Sequence, residues 1–551
     1  MIQAILAFIA GLVAHHGFFI RGEWHLRIEK ILATHLLVAS LLVLLMKQNT
    51  DAFAEVFQSL GRIIVFYLTS LFGSITIYRL FFHRLSHFPG PKLAAVSKLW
   101  HVFHILDSKN FRFMQRIHHQ YGDFVRTGPN EIAIFHPDGL YALDGWNNEN
   151  SKDVWYDLLH PMSSAIFTRD PQDHKERRKP WAQSFSRKSM GLFHPRIATI
   201  SDKLVRCIER HEGEATNVCE TMRWFALDIV GEIMFGEDFK MLDTQINIPF
   251  TTHRARAIAV LGPFADALWI ARLAFVVLPF SPRARDYTKT VEFAYSQIKE
   301  RMQRGPKDKK FDMSSLFIEE YHSLKSSKTL EERNNLLAGS VVSAVMAGSE
   351  TTQAALIATW WFLAKYPTHA DKIRSEVCNI DIDNHDALAA LPHLNGVVNE
   401  VLRLVPPALT GTPRVTGPNG LVVDGTFIPP FTKVVAPRYV IKRRDSAFVH
   451  PDEFIPERWY SRPELILHSR AFAPFSYGTR QCLGKPLAYA ELRLVTAKLV
   501  HLFNVRFAPG YDEDIMWRDM RDQATAQPGK LMCVFERRTQ ADSTVNVNKG
   551  T

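Results

Sequence analysis

The sequence predicts a mainly α-helical protein that is held in a membrane by helices at its N-terminus. Three observations support this prediction. Three apolar stretches, 2–20, 31–46 and 63–82, precede the main body of the chain. A long helical pattern covers 329–365, and another apolar helix begins directly after a glycine-flanked cysteine, Cys482. The 551 residues are enough to build a large catalytic core.

The membrane stretches come first. The stretches 2–20 and 63–82 are each long enough for about one bilayer crossing, and 31–46 is marginal. No small-residue cleavage site follows the first stretch, so we predict a retained anchor and not a signal peptide. Basic residues lie between the first two stretches and after the third, so by the positive-inside rule the first loop and the body face the cytosol. Three spans with a lumenal N-terminus follow; the alternative is one anchor, 63–82, preceded by two helices in or on the membrane.

A proline-rich turn at Pro89-Gly90-Pro91 separates the membrane region, 1–88, from the rest of the chain. Proline fixes φ and blocks continuation of a helix, so the chain must leave the membrane helix in an extended turn. No uninterrupted apolar run of about 18 residues occurs after this turn. We therefore predict one soluble, membrane-tethered domain over 89–538 and a polar tail over 539–551.

Composition narrows the class of protein. The formal net charge is +10, but lysine and arginine are spread along the chain and not gathered in tracts, which does not indicate nucleic-acid binding. Such a surface suits an acidic electron donor or anionic lipid headgroups. The cysteine number is odd and no C-x-x-C pair occurs, which argues against a disulfide framework or a zinc site and fits a reducing, cytosol-facing compartment. The five cysteines are Cys207, Cys219, Cys378, Cys482 and Cys533.

The cysteine loop, 475–484, contains Phe475, Gly478, Arg480, Cys482 and Gly484. A sulfur just before a helix lies near unpaired backbone N–H groups and the positive end of the helix dipole, and both favour the thiolate. The glycines allow a tight turn and a close approach to a flat group. A thiolate held in this way is a good axial ligand for haem iron. The alternative is a buried structural cysteine at a strand-to-helix turn.

The pattern F-x-x-G-x-R-x-C-x-G resembles the haem-binding loop of the cytochrome P450 family. The resemblance covers nearly everything from Pro89 to Arg537, with the main motifs in the family's order. It implies the cytochrome P450 fold, mainly α with small β-sheets, here preceded by N-terminal transmembrane helices. The segment 14–23 resembles P450 enzymes of filamentous-fungal secondary metabolism.

A polar stretch, Ala347-Gly348-Ser349-Glu350-Thr351-Thr352, lies in the middle of the long helical pattern. A glycine and an acid inside an apolar helix cost stability and so need a reason. One reason is a kink in which Thr351 or Thr352 bonds back to the backbone. The stretch also resembles the family's oxygen-binding motif, which implies that Gly348 leaves room for a small ligand. In that interpretation Glu350 and Thr351 form an acid–alcohol pair that delivers protons during oxygen activation.

A Glu–Arg pair, Glu400 and Arg403, lies at i, i+3 and so shares one helix face. Alone the pair is a weak signal, because such pairs stabilise surface helices in many proteins. Together with Arg458 it resembles the family's Glu–Arg–Arg triad, a buried charge network that fixes the segment before the cysteine loop and is costly to break.

The resemblance also implies the ligands of haem b, iron protoporphyrin IX. Cys482 is the axial ligand of the iron. Four cations would bind the two propionates through charge-assisted hydrogen bonds: His174, Arg178, Arg414 and Arg480. Phe475 would pack near the sulfur and limit water. The alternative for each cation taken singly is a solvated surface residue.

The function implied by the resemblance is a haem-thiolate monooxygenase that activates O2 with electrons from NADPH. The electrons arrive through NADPH–cytochrome P450 reductase, with cytochrome b5 as a second candidate partner. We expect the enzyme in the endoplasmic reticulum membrane, with its catalytic domain facing the cytosol. It would hydroxylate, epoxidise or desaturate a lipophilic natural-product intermediate in fungal secondary metabolite biosynthesis. Largely apolar segments are expected to line its pocket: 155–167, 257–280, 342–347, 408–412 and 524–529.

Two other functions remain open from the residues. One is a P450-type isomerase or dehydratase that needs no reductase. The acid–alcohol pair argues against it, because such an enzyme has little use for proton delivery. The other is a non-catalytic, membrane-anchored haem protein.

Overall fold

A computed structural model describes residues 1–48, 52–307 and 310–538 of the chain, without the side chain of Asp266. Most of these residues are helical, and short strands form small sheets between the helices. The predicted fold class is therefore confirmed. The predicted polar tail, 539–551, lies outside the described residues.

The α-helices are numbered in chain order. They are α1 (Ile2–Val13), α2 (Ile28–Lys47), α3 (Phe53–Ile77), α4 (Lys92–Val96), α5 (Leu99–His104), α6 (Asn110–Tyr121), α7 (Gly139–Asp144), α8 (Pro171–Ser184), α9 (Arg187–Glu209), α10 (Val218–Val230), α11 (Met241–Thr244), α12 (Pro249–Ala259), α13 (Leu261–Phe264), α14 (Leu268–Val277), α15 (Pro282–Arg304), α16 (Met313–Ser323), α17 (Leu330–Lys365), α18 (Pro367–Val377), α19 (His385–Ala390), α20 (Pro392–Leu404), α21 (Arg438–Ile441), α22 (Lys485–Leu502) and α23 (Ile515–Arg518).

Short helices of other types extend or connect these elements. The π-helical turns are Ala14–Phe19, Tyr78–Phe82 and Gly231–Phe235, and the 3-10 helices are His25–Arg27, Val154–Leu159, Ala265–Ala267, Leu324–Ser326, Pro456–Trp459, Pro463–Leu465, Ser469–Ala471 and Gly478–Arg480.

Three N-terminal helical segments are long and apolar enough to cross a membrane: Ile2–Phe19, His25–Lys47 and Phe53–Phe82. The second is longer than the marginal stretch 31–46 because its helix begins in the polar loop before it. The third begins at Phe53, well before the apolar run from residue 63, because 53–62 also forms helix. Most of the large apolar side chains on these helices are exposed, as expected of surfaces that meet lipid.

The strands form small sheets at the edge of the helical body. They are β1 (Phe124–Gly128), β2 (Glu131–Ile134), β3 (Ser151–Lys152), β4 (Ala215–Asn217), β5 (Arg414–Val415), β6 (Leu421–Val423), β7 (Thr426–Ile428), β8 (Lys433–Val435), β9 (Phe503–Phe507), β10 (Arg521–Gln523), β11 (Thr525–Gln527) and β12 (Met532–Arg537).

The largest sheet has the strand order β1-β2-β8-β5-β3. Its β2 and β8 are parallel, and its other pairs are antiparallel. The pairing of β3 with β5 sets Lys152 opposite Arg414. A second sheet has the order β4-β12-β9, and β6-β7 and β10-β11 are hairpins. The first sheet therefore places two basic residues side by side at the edge of the helical core.

Helix α17 is the centre of the core. Thr329 and Glu332 form a capping box at its start: Thr329 Oγ1 accepts the Glu332 N–H (3.2 Å), and Glu332 Oε2 accepts the Thr329 N–H (2.8 Å). The helix runs unbroken for 36 residues, about 54 Å at 1.5 Å per residue. Its middle is buried on most sides against α10, α15, α16, α20 and α22. An exposed residue in this middle part of α17 therefore marks a place where other protein elements leave space beside the helix.

Candidate functional site

The cysteine loop is a tight turn that leads into α22. The Cys482 backbone N–H donates to the carbonyl oxygen of Phe475 over 2.8 Å, which closes the loop. Gly478 has φ +65°, and a Cβ at this position would lie 2.3 Å from the carbonyl oxygen of Asp144. Only glycine fits there, because both the backbone angle and the space exclude a side chain. Gly478 of the motif is thus explained by the fold of the loop itself.

The space beside the sulfur is open. Cys482 is exposed, and a Cβ on Gly484 would make only an ordinary contact, 3.8 Å from Cys482 Sγ. The neighbouring protein atoms do not require a glycine at position 484. Its small size therefore leaves room beside the sulfur for a group that is not a side chain of this loop.

The thiol of Cys482 does not become a thiolate through the protein alone. Its accessible sulfur lies in a recess, and removal from bulk water raises the pKa of the thiol. The N–H groups of Gly484 and Lys485 and the Arg178 guanidinium act in the opposite direction. The helix start acts in the expected direction, because its N–H groups favour the thiolate, but removal from bulk water outweighs this effect. The same groups would stabilise the negative sulfur once a metal ion deprotonates it.

Helix α8 holds two of the predicted cofactor ligands against the loop. The Asp170 carboxylate caps the helix by accepting the Asp173 N–H. Arg178 Nη2 donates to the carbonyl oxygen of Gln481 over 3.0 Å, next to the cysteine. His174 lies one turn earlier, and burial together with nearby cations lowers its pKa to about 4. In the protein alone these surroundings favour a neutral imidazole that can act as a hydrogen-bonding group; a cation at His174 beside two propionates stays a prediction.

Arg414 and Lys152 lie side by side on β5 and β3. Arg414 is buried; its Nε donates to Asp144 Oδ1 over 2.7 Å, and its Nη1 donates to Tyr156 Oη. Lys152 is also buried, and its Nζ donates to the carbonyl oxygens of residues 165, 166 and 168. Burial and the neighbouring arginines lower the pKa of Lys152 to about 6.

Basic side chains outnumber carboxylates around the cysteine loop. Four cations, Lys152, Arg178, Arg414 and Arg480, each lower the pKa of His174, and the three arginines also lower that of Lys152. Asp144 counters Arg480, and Asp173 counters Lys152. So many basic groups in a partly buried place are costly unless anions join them. This donor set fits a ligand with two carboxylates.

Glu400, Arg403 and Arg458 are brought together as the resemblance implies. Glu400 accepts from Arg403 Nη2 over 2.7 Å and from Arg458 Nε over 2.9 Å, and all three side chains are fully buried. Both arginines also donate to backbone carbonyl oxygens between residues 442 and 465. Trp459 Nε1 donates to the second carboxylate oxygen of Glu400 over 2.9 Å. The network thereby fixes the segment that precedes the cysteine loop.

Glu350 is buried and already paired. Its Oε1 lies 2.6 Å from Arg254 Nη1 on α12, and its Oε2 accepts from Gln527 Nε2 on β11 over 2.7 Å. The side chains of Arg254 and Glu350 are 3% and 2% exposed. The carboxylate therefore joins α17 to two other elements that the sequence does not place beside it.

Thr351 points elsewhere. Its hydroxyl donates to the carbonyl oxygen of Ala347 over 2.7 Å, four residues earlier in α17. Over the described part of the chain, no hydrogen bond joins the side chains of Glu350 and Thr351, so the expected acid–alcohol contact is not made. Consecutive residues of an α-helix point about 100° apart, which sends one to the buried side and the other to the open side.

The open side of α17 is formed by Ala347, Gly348 and Thr351. Ala347 is exposed and the other two are half-buried, whereas nearly all their neighbours in the helix are buried. A Cβ on Gly348 would lie 3.2 Å from a methyl group of Val230 on α10. The helix is continuous through this polar stretch, and Thr351 bonds back to the backbone as one of the alternatives expected.

Two of the predicted pocket walls contact α17. Ser164 Oγ lies 2.8 Å from Ser343 Oγ, which joins the segment 155–167 to the helix. Gln527, in the segment 524–529, contacts Glu350 on the buried side of the helix. The Ala526 N–H donates to the carbonyl oxygen of Pro407, just before 408–412, so this third segment lies beside the second. Segments from separate parts of the chain therefore come together next to α17.

These features together fit a haem. The cysteine loop offers a sulfur beside open space, the basic residues offer donors for two propionates, and α17 offers an exposed face without bulky side chains. A sequence profile of the cytochrome P450 family matches residues 89–534. The chain belongs to the cytochrome P450 family. The predictions of this family and of an enzyme of the monooxygenase class are thus confirmed.

Fungal P450 proteins match almost the whole chain. The chain is 33% identical to cytochrome P450 monooxygenase notG' of Aspergillus versicolor, over 97% of this chain and 98% of that protein. It is 32% identical to tryprostatin B 6-hydroxylase of Aspergillus fumigatus, over 94% of this chain and 92% of that protein. Among solved structures, the haem domain of cytochrome P450DA superposes with a TM-score of 0.63 at 19% identity, covering 79% of this chain and 93% of that chain. Family membership implies a haem cofactor, a redox partner and a small-molecule substrate.

Sequence reasoning missed several residues of this P450 site. Lys152, Asp144 and Arg254 come from distant parts of the chain and carry no local motif. Trp459 follows the triad arginine directly and its indole N–H needs a partner when buried, which was the only signal that could have found it. Gln527 lies in a segment predicted as a pocket wall, but its bond to Glu350 depends on the packing of β11 against α17.

Proposed function

We propose that this P450 is a membrane-anchored haem-thiolate monooxygenase that oxidises a lipophilic natural-product intermediate in fungal secondary metabolism. The observation that carries the proposal is the closed loop that presents Cys482 beside open space. Bound haem would supply the activation of O2. The relative in Aspergillus fumigatus is described as a hydroxylase of tryprostatin B, and this favours hydroxylation over epoxidation or desaturation.

Each cofactor ligand has a separate task in this proposal. Cys482 would hold the iron, and the N–H groups of Gly484 and Lys485 would stabilise the negative sulfur. Arg178 and Arg480 would bind propionate oxygens, and neutral His174 would donate a hydrogen bond. Arg414 is already held by Asp144 and Tyr156, so its direction is fixed before the cofactor binds. Phe475 would keep water from the sulfur and, through its carbonyl oxygen, hold the loop closed.

Proton delivery is assigned to Thr351 and Glu350, in different ways. Thr351 Oγ1 lies on the open face of α17 and can pass on the proton that it now donates to Ala347. Glu350 can supply that hydroxyl only after its carboxylate turns away from Arg254. Gln527 Nε2 donates to the other carboxylate oxygen of Glu350 over 2.7 Å.

Polar contacts support the proposed membrane arrangement. The loop between the first two helical segments lies on the catalytic domain: Arg169 donates to both carboxylate oxygens of Glu23, at 2.6 and 2.7 Å. His25 Nε2 lies 2.8 Å from Asp157 Oδ2, and Arg272 Nη2 donates to Glu29 over 2.7 Å. We refer to these contacts as the N-terminal clasp.

The clasp supports a first loop on the same side of the membrane as the catalytic domain. This supports three spans with a lumenal N-terminus, a catalytic domain that faces the cytosol from the endoplasmic reticulum membrane, and access to NADPH–cytochrome P450 reductase and cytochrome b5. The clasp also binds both sides of the region where a lipophilic substrate would arrive, 155–167 and α14.

The test is a carbon monoxide difference spectrum of the dithionite-reduced protein in membranes, followed by turnover with and without NADPH and reductase. A red-shifted Soret band and reductase-dependent oxidation of lipophilic candidates are expected. Haem without that shift would remove Cys482 as the ligand. Product without reductase would favour the isomerase or dehydratase function, which the engagement of Glu350 by Arg254 keeps in consideration. Haem binding without product from any candidate would favour the non-catalytic haem protein.

A further inference from the structure

Two histidines and a glutamate from three chain segments meet at the surface, outside the residues assigned to the haem. His369 lies on α18, His393 on α20, and Glu457 on the 3-10 helix Pro456–Trp459. His369 Nδ1 lies 3.2 Å from His393 Nε2 and 3.9 Å from Glu457 Oε1. One ligand atom from each of the three residues lies within 4.8 Å of the other two. The family and site assignments above give these side chains no role.

The spacing matches a metal site more closely than a chance contact. Ligand atoms at 2.0–2.2 Å in a tetrahedron are roughly 3.3 Å apart, and the two histidine nitrogens already have this separation. Glu457 Oε1 lies 3.9 Å from His369 Nδ1, so the carboxylate has to move closer to complete the same tetrahedron. Its residue is half-buried on a short 3-10 helix, so a side-chain rotation suffices.

The hydrogen bond that His393 makes on its other ring nitrogen also suits metal binding. His393 Nδ1 lies 3.0 Å from Tyr460 Oη. A tautomer that donates from Nδ1 to this hydroxyl leaves Nε2 as the free lone pair, which is the usual arrangement of a metal-bound histidine. His393 is buried and His369 half-buried, so the site is held on one side and can be reached from the other.

The ammonium group of Lys372 pairs with the carboxylate that a metal ion would bind at this site. Its Nζ lies 2.6 Å from Glu457 Oε1, and its side chain is 53% exposed. An exposed lysine can swing into solvent at little cost. Lys372 would therefore be the competitor that a metal ion displaces from the carboxylate.

We propose that His369, His393 and Glu457 form a zinc site, with Lys372 as a displaceable counter-cation. Two imidazole nitrogens and one carboxylate oxygen are a ligand set that zinc accepts, with water as the fourth ligand. The ion would join α18, α20 and the 3-10 helix that carries Arg458, so it would brace the buried Glu400 network. Magnesium and calcium, which prefer all-oxygen ligands, would not bind here.

The experiment uses the full-length, haem-loaded protein without a histidine tag, in detergent or nanodiscs. Calorimetric titration with zinc chloride is expected to give a site that magnesium chloride does not fill. His393→Gln is expected to weaken zinc binding by more than tenfold, and Tyr460→Phe by about tenfold through loss of the outer hydrogen bond. Lys372→Met is expected to tighten binding several-fold. A tightening in this variant would not follow from a purely structural cluster.

Two controls separate this site from other histidines. His385 stacks on His194 with ring centroids 3.7 Å apart, and the pair has no third ligand among the groups that the structure describes. His385→Gln should therefore leave zinc binding unchanged. A second candidate group, Glu23, His25 and Asp157, has its carboxylates occupied by Arg169, so His25→Gln should also have no effect.

The outcome at the zinc K-edge decides the ligand identity independently of activity. X-ray absorption should show two imidazoles at 2.0–2.1 Å and an oxygen shell. Zinc affinity unchanged in His393→Gln, equal binding of magnesium, or a spectrum without imidazole scattering would each overturn the proposal. If His393→Gln loses its carbon monoxide spectrum and so does not fold, the more exposed His369→Gln and the gain expected in Lys372→Met decide the question.

Discussion

The buried pair of Arg254 and Glu350 allows a quantitative prediction. Replacement of Arg254 by methionine keeps much of the side-chain volume but leaves the Glu350 carboxylate buried, with Gln527 as its remaining partner. Removing one partner of a buried ion pair costs about 3–5 kcal/mol, because the other charge loses its compensation. Since about 1.4 kcal/mol corresponds to a factor of ten, the equilibrium constant for unfolding should rise by roughly two to four orders of magnitude.

The assay is guanidinium denaturation of the purified protein, followed by tryptophan fluorescence, with the carbon monoxide spectrum as a check that each variant folds. The double variant Arg254→Met/Glu350→Gln removes both charges and should recover most of the loss, to within about 2 kcal/mol of the parent. The matched control is Arg272→Met. Its ion pair with Glu29 is 29% and 27% exposed, so its loss should stay below about 1 kcal/mol.

The reasoning about this pair is refuted by either of two results. One is a loss below about 1 kcal/mol in Arg254→Met, which would mean that water reaches the carboxylate. The other is a double variant that is as unstable as the single one, because the loss would then come from packing and not from an unpaired charge.

Three further predictions concern other residues of the site. Cys482→Ala should abolish the red-shifted carbon monoxide band, and a band retained at full height would remove Cys482 as the axial ligand. Thr351→Ala should leave haem binding intact but uncouple NADPH oxidation from product; coupling at the parental level would exclude Thr351 from proton delivery. Burial raises the pKa of Glu491 to about 8, and this carboxyl is 2% exposed. The folded state holds this proton more tightly than the unfolded state. Glu491 therefore has no effect on the free energy of unfolding below pH 4.5, and it lowers that free energy increasingly as the pH rises to 8. The loss reaches about 3 kcal/mol at pH 7. Glu491→Gln should therefore flatten the pH dependence of unfolding between pH 5 and 8, and an unchanged slope would show that Glu491 is ionised in the folded protein.

Local patterns were enough to predict much of this molecule. The capping box at Thr329, the helix after Cys482 and the three apolar N-terminal segments follow from interactions between residues near in sequence. The Glu400–Arg403 pair was equally visible, since i, i+3 spacing places both on one helix face. Arg458 could be added only through the resemblance to a family, because a distance of 55 residues along the chain carries no local signal.

Charge states and partners could not be predicted in the same way. His174 was expected to be a cation, but burial and, after it, Lys152 on β3 lower its pKa. The thiolate at Cys482 was argued from the helix start alone, whereas removal from bulk water outweighs that effect. Glu350 and Thr351 are adjacent in sequence and were expected to form an acid–alcohol pair for proton delivery, which stays a prediction. The partner of Glu350 is Arg254 on another helix, and only the packing of α12 against the core determines that contact.

The N-terminal clasp bears on how the enzyme should be studied. Membrane P450 proteins are easier to handle when shortened at the proline-rich turn, and here such shortening would remove Glu23, His25 and Glu29. Arg272 would then lose the partner described for it, while Arg169 would keep Asp157 at 2.9 Å. The proposed substrate entrance between 155–167 and α14 would thus keep an ion pair on the side of Asp157 and lose one on the side of Arg272. Substrate preferences measured on a shortened protein would describe an enzyme that lacks these contacts beside its proposed substrate entrance, unlike the full-length enzyme in the membrane.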